Sequence, residues 1–126
     1  MNVDRSQLRT VLATWLAVTG AAAAWVGQLV FGYLVADAAC ADGTRHWGLD
    51  IKVWDGLLSL GALLLAGAAI GTGFLLWRAT AREPRVDPRG RVGFLGFWGV
   101  VGGLFFVALI VLTAIGILYL EQCRQG

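Results

Sequence analysis

The sequence predicts an all-α membrane protein: three transmembrane helices in an antiparallel bundle, with the N-terminus inside and the C-terminus outside. Three observations point there. The 126-residue chain is 58% hydrophobic and only 14% charged, with a mean hydropathy of +0.72, whereas a soluble domain carries about 25% charged residues. The shortage of charge is local, because the ionisable residues collect between three apolar stretches and at the chain ends. The arginines, finally, segregate by connection. The whole of 1–126 therefore reads as a single three-helix transmembrane domain.

The first span is expected from Thr10 to Ala36, which holds no charged residue. Crossing the hydrocarbon core takes about 20 helical residues, so the stretch is long enough to tilt or to extend past the core. Arg5 and Arg9 precede it, and Val35-Ala36-Asp37-Ala38-Ala39-Cys40 loosely resembles a processing site. A signal-peptide core is only about 7–15 residues long, however, and Asp37 stands where a lipoprotein signal wants an aliphatic residue. A retained anchor is expected. The second span is expected from Gly56 to Trp77 and the third from Val92 to Leu120. None of the three alternates polar and apolar residues as barrel strands do.

Orientation follows from the basic residues in short flanks. Arg5 and Arg9 in the tail, with Arg78, Arg82, Arg85, Arg89 and Arg91 in the second connection, fall on one side of a three-span protein. Arg45, Lys52 and Arg124 fall on the other. The N-terminus and the second connection are thus expected in the cytoplasm, and the C-terminus in the periplasm of a bacterial inner membrane. The second connection also holds both prolines, Pro84 and Pro88, which disfavour helix. Its arginines suit a topology signal and anionic membrane lipids, and the loop is too small to serve nucleic acid.

Cys40 follows the first span and Cys123 the third, so both are expected at the outer face, in an oxidising compartment. A Cys40–Cys123 disulfide is expected if the two helices are neighbours; two free thiols are the alternative. No Cys-x-x-Cys is present, which argues against a thiol–disulfide oxidoreductase, and one histidine makes a cysteine–histidine zinc site a poor expectation. The outer connection is the most polar region. Trp47 and Trp54, like Trp15, Trp77 and Tyr119, suit an interfacial aromatic belt. His46 there is ordinarily a solvated side chain, and Asp55, at the membrane edge, suits the N-cap of the second helix.

Ionisable groups deep in a membrane mark ion and proton paths, and the spans offer none beyond Asp55. Autonomous transport is disfavoured. Gln28 and Tyr33 are the polar residues best placed to hydrogen-bond across a helix interface; contact with a quinone head or a haem edge is the rarer alternative. Glycine carries the positive signal. Gly67-x-x-x-Gly71 and Gly99-x-x-x-Gly103 put small residues one turn apart, which lets helix backbones approach closely, and Gly96 extends the second pair. The opposite faces carry Phe94, Phe97, Trp98, Phe105 and Phe106.

The run from Trp25 through Gln28 and Tyr33 to Cys40, together with Leu120-Glu121-Gln122-Cys123, resembles small three-span bacterial membrane proteins encoded beside subunits of haem–copper cytochrome c oxidases and related respiratory complexes. That resemblance implies an accessory or assembly role and supplies no catalytic residue. The expectation is a non-catalytic accessory subunit of a larger membrane complex. An assembly factor and a small homo-oligomeric transporter with Asp55 at its mouth are the alternatives. No cofactor of its own is expected; lipid is, with any haem or quinone held by partner subunits.

Overall fold

The computed structural model describes residues 4–41, 50–82, 89–120 and 123. Three helices, α1 (Arg5–Ala41), α2 (Ile51–Ala81) and α3 (Arg89–Tyr119), account for nearly all of them. Each is long and apolar enough to cross a membrane. At about 1.5 Å per residue, all three exceed the roughly 30 Å hydrocarbon thickness.

The helices overrun the spans expected from charge-free runs. Arg5 and Arg9 lie within α1, Lys52 and Asp55 within α2, and Arg78 in its last turn. A charged side chain ends a hydrophobic run without ending a helix, and Arg and Lys are good helix formers. Asp4 starts α1: its carbonyl accepts from the backbone N–H groups of Gln7 and Leu8, and its carboxylate accepts from Ser6 Oγ at 2.9 Å. The N-cap position of α2 belongs to Asp50, in extended geometry. Asp55 therefore sits in the second turn, and the capping role expected for it does not hold.

Close approaches fix the directions of the helices. Gly20 of α1 meets Ala69 of α2, and further along α1 Gly32 meets Asp55, so these two helices are antiparallel. Gly103 of α3 meets Ile70 of α2 whereas Gly93 meets Thr80, which again is antiparallel. α1 and α3 run side by side in the same direction. Gln28 reaches Ile110 and Cys40 joins Cys123, at sequence separations of 82 and 83. The arginines of the described ends accordingly gather at one end of the bundle, the arginine end, and the disulfide marks the other.

The interior is built from small side chains. The inward stripe of α1 is Ala17, Gly20, Ala21, Ala24 and Gln28, and that of α2 is Asp55, Ser59, Ala62, Ala66, Ala69 and Gly73. Among the described residues Ile110 is the largest fully buried side chain, and bulky residues such as Leu64, Leu75, Phe105 and Leu112 point outward. That inverts the pattern of a water-soluble core, where Ile, Leu and Phe lie inside. Where surrounding lipid is as apolar as the interior, close backbone packing drives helix association instead.

Helix contact is tightest toward the arginine end. A Cβ on Gly99 would lie 2.7 Å from the Ala17 carbonyl oxygen, and one on Gly96 would lie 2.8 Å from that of Gly73. Gly99 and Gly103 thus pack between helices. Gly67 and Gly71 do not: among the described residues, no atom of another helix lies within 4 Å of where their Cβ atoms would be. The reason is phase. At about 100° per residue, Gly67 is one step past the inward Ala66 and Gly71 two steps past Ala69, so both face away from α1 and α3.

Candidate functional site

Toward the disulfide end the close glycine contacts give way to a cleft of about 630 Å³ between α1 and α3. Gln28, Gly32 and Tyr33 line it from α1, Thr113 and Gly116 from α3, and Asp55 of α2 stands at its back. Cys40 and Cys123 meet at its end. Their sulfurs are bonded at 2.08 Å, with Cα atoms 5.7 Å apart, a normal spacing for a disulfide. The bond straps α1 to α3 across the end of the cleft. Tyr33 and Leu120, each 71% exposed, form its outer rim.

Two acidic or amide side chains are buried at this level. Gln28 is 4% exposed and Asp55 3%. Measured along α1 by helix rise, Gln28 lies about 18 Å below Cys40. Asp55 sits higher, because its Oδ1 would be 3.7 Å from a Cβ on Gly32.

Gln28 donates from Nε2 to Ser59 Oγ at 2.9 Å and, more weakly, to the Ile110 carbonyl oxygen at 3.5 Å. One amide thus bridges all three helices. Its Oε1 is buried and accepts from no described residue. An amide oxygen left in that state costs about 1–3 kcal/mol. By contrast, the threonine hydroxyls of the helices bond within their own backbone: Thr14 to Thr10, Thr19 to Trp15, Thr72 to Ala68 and Thr113 to Leu109, all at 2.7–2.8 Å. These back-bonds remove threonine from interhelical work.

Gln28 takes the interhelical role expected for it; Tyr33 does not share it. Five residues along a helix turn a side chain by about 140°, which carries Tyr33 from the interior to the exposed rim. The partner that sequence reasoning did not single out is Ser59. Its signal lies in α2, where Asp55 and Ser59 are one turn apart and begin the stripe that continues through Ala62 and Ala66. His46 and Trp47 lie outside the described residues, as do Arg85 and both prolines.

Aromatic rings gather at the arginine end. Trp77 stands 6.0 Å from Phe74 and 6.1 Å from Phe97, and the Arg78 guanidinium lies 5.5 Å over the Phe74 ring. That pairing of a cation with an aromatic face places a charged head beside an apolar belt. Among the described residues no group of three or more His, Cys, Asp or Glu side chains could hold a metal ion. The polar side chains that line the cleft are the Gln28 amide, the Asp37 and Asp55 carboxyls, the Tyr33 phenol and the Thr113 hydroxyl, set among apolar walls.

No protein family, curated protein or solved structure matches this chain.

Proposed function

We propose that the chain is a three-span integral membrane protein of a bacterial inner membrane, N-terminus cytoplasmic and C-terminus periplasmic, acting as a non-catalytic accessory subunit of a larger membrane complex. The outward-facing bulky side chains support insertion, since water would penalise so much exposed apolar surface. The arginine end carries Arg5, Arg9, Arg78, Arg82 and Arg91, which supports a cytoplasmic location for it under the positive-inside bias.

The observation that carries the subunit reading is the vacant glycine pair on α2. Gly67 and Gly71 lie one turn apart on an outward face, where a Cβ would meet no other helix among the described residues. Glycine inside a helix costs about 1 kcal/mol relative to alanine, and here intrachain packing returns nothing for it. A helix of another subunit, brought close over this face, would supply the missing contacts. A respiratory complex of the haem–copper oxidase type is the partner favoured by the resemblance of the cysteine-flanked segments.

The test is purification of the tagged chain in a mild detergent, with a visible absorption spectrum and mass spectrometry of what accompanies it. Haem bands and oxidase subunits in fixed ratio support the reading, and Gly67→Leu with Gly71→Leu should lower that recovery at least tenfold. A colourless sample containing only this chain removes it.

A further inference from the structure

The aromatic row at the arginine end has a charged head at its edge. Phe74 and Arg78 stand one turn apart on α2 with Trp77 beside them, and Phe97 carries the row onto α3. The three rings are 40–46% exposed, so the row is a surface across the seam between α2 and α3. Phase keeps α1 away from it. Arg78 is five residues on from Gly73, whose missing side chain faces Ala17, and so lies about 140° around the helix.

The charge on this surface is positive and positioned. The Arg78 guanidinium lies 5.5 Å over the Phe74 ring, a contact that holds a long side chain in one place. Arg82, at the C-cap of α2, places a second arginine one turn beyond on that side of the helix. Neither arginine makes an ion pair with a described residue. Among the described residues the one acidic group at this end is Asp4, which starts α1 and accepts from Ser6; Glu83 and Asp87 lie outside the described residues.

A guanidinium grips phosphate oxygens with two parallel N–H bonds, and exposed rings directly below it offer contact to a hydrocarbon chain. The matching occupant carries an anion joined to apolar chains. An anionic phospholipid has both in one molecule and is drawn to basic groups at the cytoplasmic surface. A partner helix would need an acidic side chain at one fixed height.

We propose that the Phe74, Trp77 and Phe97 face binds an anionic phospholipid, its phosphate on Arg78 and Arg82 and its acyl chains descending along the seam between α2 and α3. A topology signal needs only a count of basic residues, not an arginine laid over a ring. The site borders the Gly67 and Gly71 face. It rests on the chain's lying in a membrane with the arginine end cytoplasmic, as proposed above, and not on its having a partner subunit.

Photolabelling of the purified full-length chain in phosphatidylcholine vesicles tests it. Each vesicle sample holds the same small fraction of one diazirine lipid, either phosphatidylglycerol or phosphatidylcholine, with identical chains labelled near the head. Phosphatidylglycerol should label α2 between 74 and 78 and α3 between 94 and 98 at least about fivefold more strongly, the value of one basic residue beside an anionic head. Arg78→Lys keeps the charge but loses the planar fork, and should lower that preference about threefold while labelling of α1 between 5 and 16 stays unchanged. Arg78→Gln with Arg82→Gln should abolish it. Formation of the Cys40–Cys123 bond reports folding of each variant; if a variant does not form it, the unaltered chain decides, by comparing the two lipids and the seam with α1. Equal labelling by the two lipids overturns the proposal and leaves the face to an acidic segment of a partner subunit. A preference that Arg78→Lys leaves whole, or that is as strong along α1, also overturns it, because diffuse charge then suffices. Alkaline carbonate extraction of the source membranes separates the two readings. A chain released by alkali removes the membrane assignment and the site with it, whereas a retained chain with equal labelling removes only the site.

Discussion

At the residue scale, the Gln28 amide bonds to both of the other helices. Gln28 and Ser59 are asymmetric partners, and their substitutions should differ accordingly. Ser59→Ala leaves Gln28 Nε2 with only its long bond to Ile110, so it should destabilise the bundle by about 1–2 kcal/mol. Gln28→Leu removes the donor and the unpartnered oxygen together, and the Ser59 hydroxyl can then turn to its own backbone, as the threonines do. Its cost should stay below about 1 kcal/mol. Unfolding followed by circular dichroism, as denaturing detergent is titrated into mixed micelles, measures both. The reverse ranking would mean that Gln28 is better satisfied than its geometry indicates. Gln28 was legible as an interhelical residue because an amide in an apolar run has few other uses. Its partner was less so, since Ser59 looks no different from Thr72 until the tertiary structure places it on the inward stripe.

At the scale of the elements, equal motifs have unequal fates. Gly99-x-x-x-Gly103 and Gly67-x-x-x-Gly71 share a spacing, yet one pair is buried in the bundle and the other faces out. Spacing fixes that two glycines share a face; it does not fix which way the face points. The phase could have been taken from the polar residues of α2, because Asp55 and Ser59 stepped on by three and four reach Ala62, Ala66, Ala69 and Gly73. Two substitutions separate the pairs. Gly99→Leu must displace the Ala17 backbone, which a Cβ would approach to 2.7 Å, and should cost about 3 kcal/mol or prevent assembly of the bundle. Gly71→Leu enters open space and should change the stability of the isolated chain by less than about 0.5 kcal/mol. The same unfolding titration compares them, and a large loss at Gly71 would place that face inside the bundle after all. Helix existence and number were plain from the charge-free runs. The ends were not, since arginine and aspartate close a hydrophobic run while the helix continues through them.

At the scale of the whole molecule, the bundle is gathered closely by glycine toward one end and held by a covalent strap at the other, with the cleft beneath the strap. That cleft had no sequence signature, because it depends on how far α1 and α3 stand apart, and Gly99 brings those two helices together only near the opposite end. Closing a loop of 83 residues stabilises by up to about 4.5 kcal/mol in the chain-entropy description. Helices that persist in a membrane after the bundle opens have less freedom to lose, so the observed value should be smaller. Cys40→Ser or Cys123→Ser is expected to lower the unfolding free energy by about 1–3 kcal/mol while leaving helix content unchanged. A loss of helix on reduction would show that the strap maintains secondary structure as well as tertiary packing.

The bond also records biosynthetic order. Cys40 leaves the ribosome long before Cys123, and the two sulfurs can meet only once α3 lies beside α1 with both cysteines at the same end. Every oxidised molecule is thus one whose last helix has been delivered in the correct direction. Pulse-labelled chains run without reductant would show the lag between synthesis and oxidation, and a chain whose third helix stalls or inverts would stay reduced.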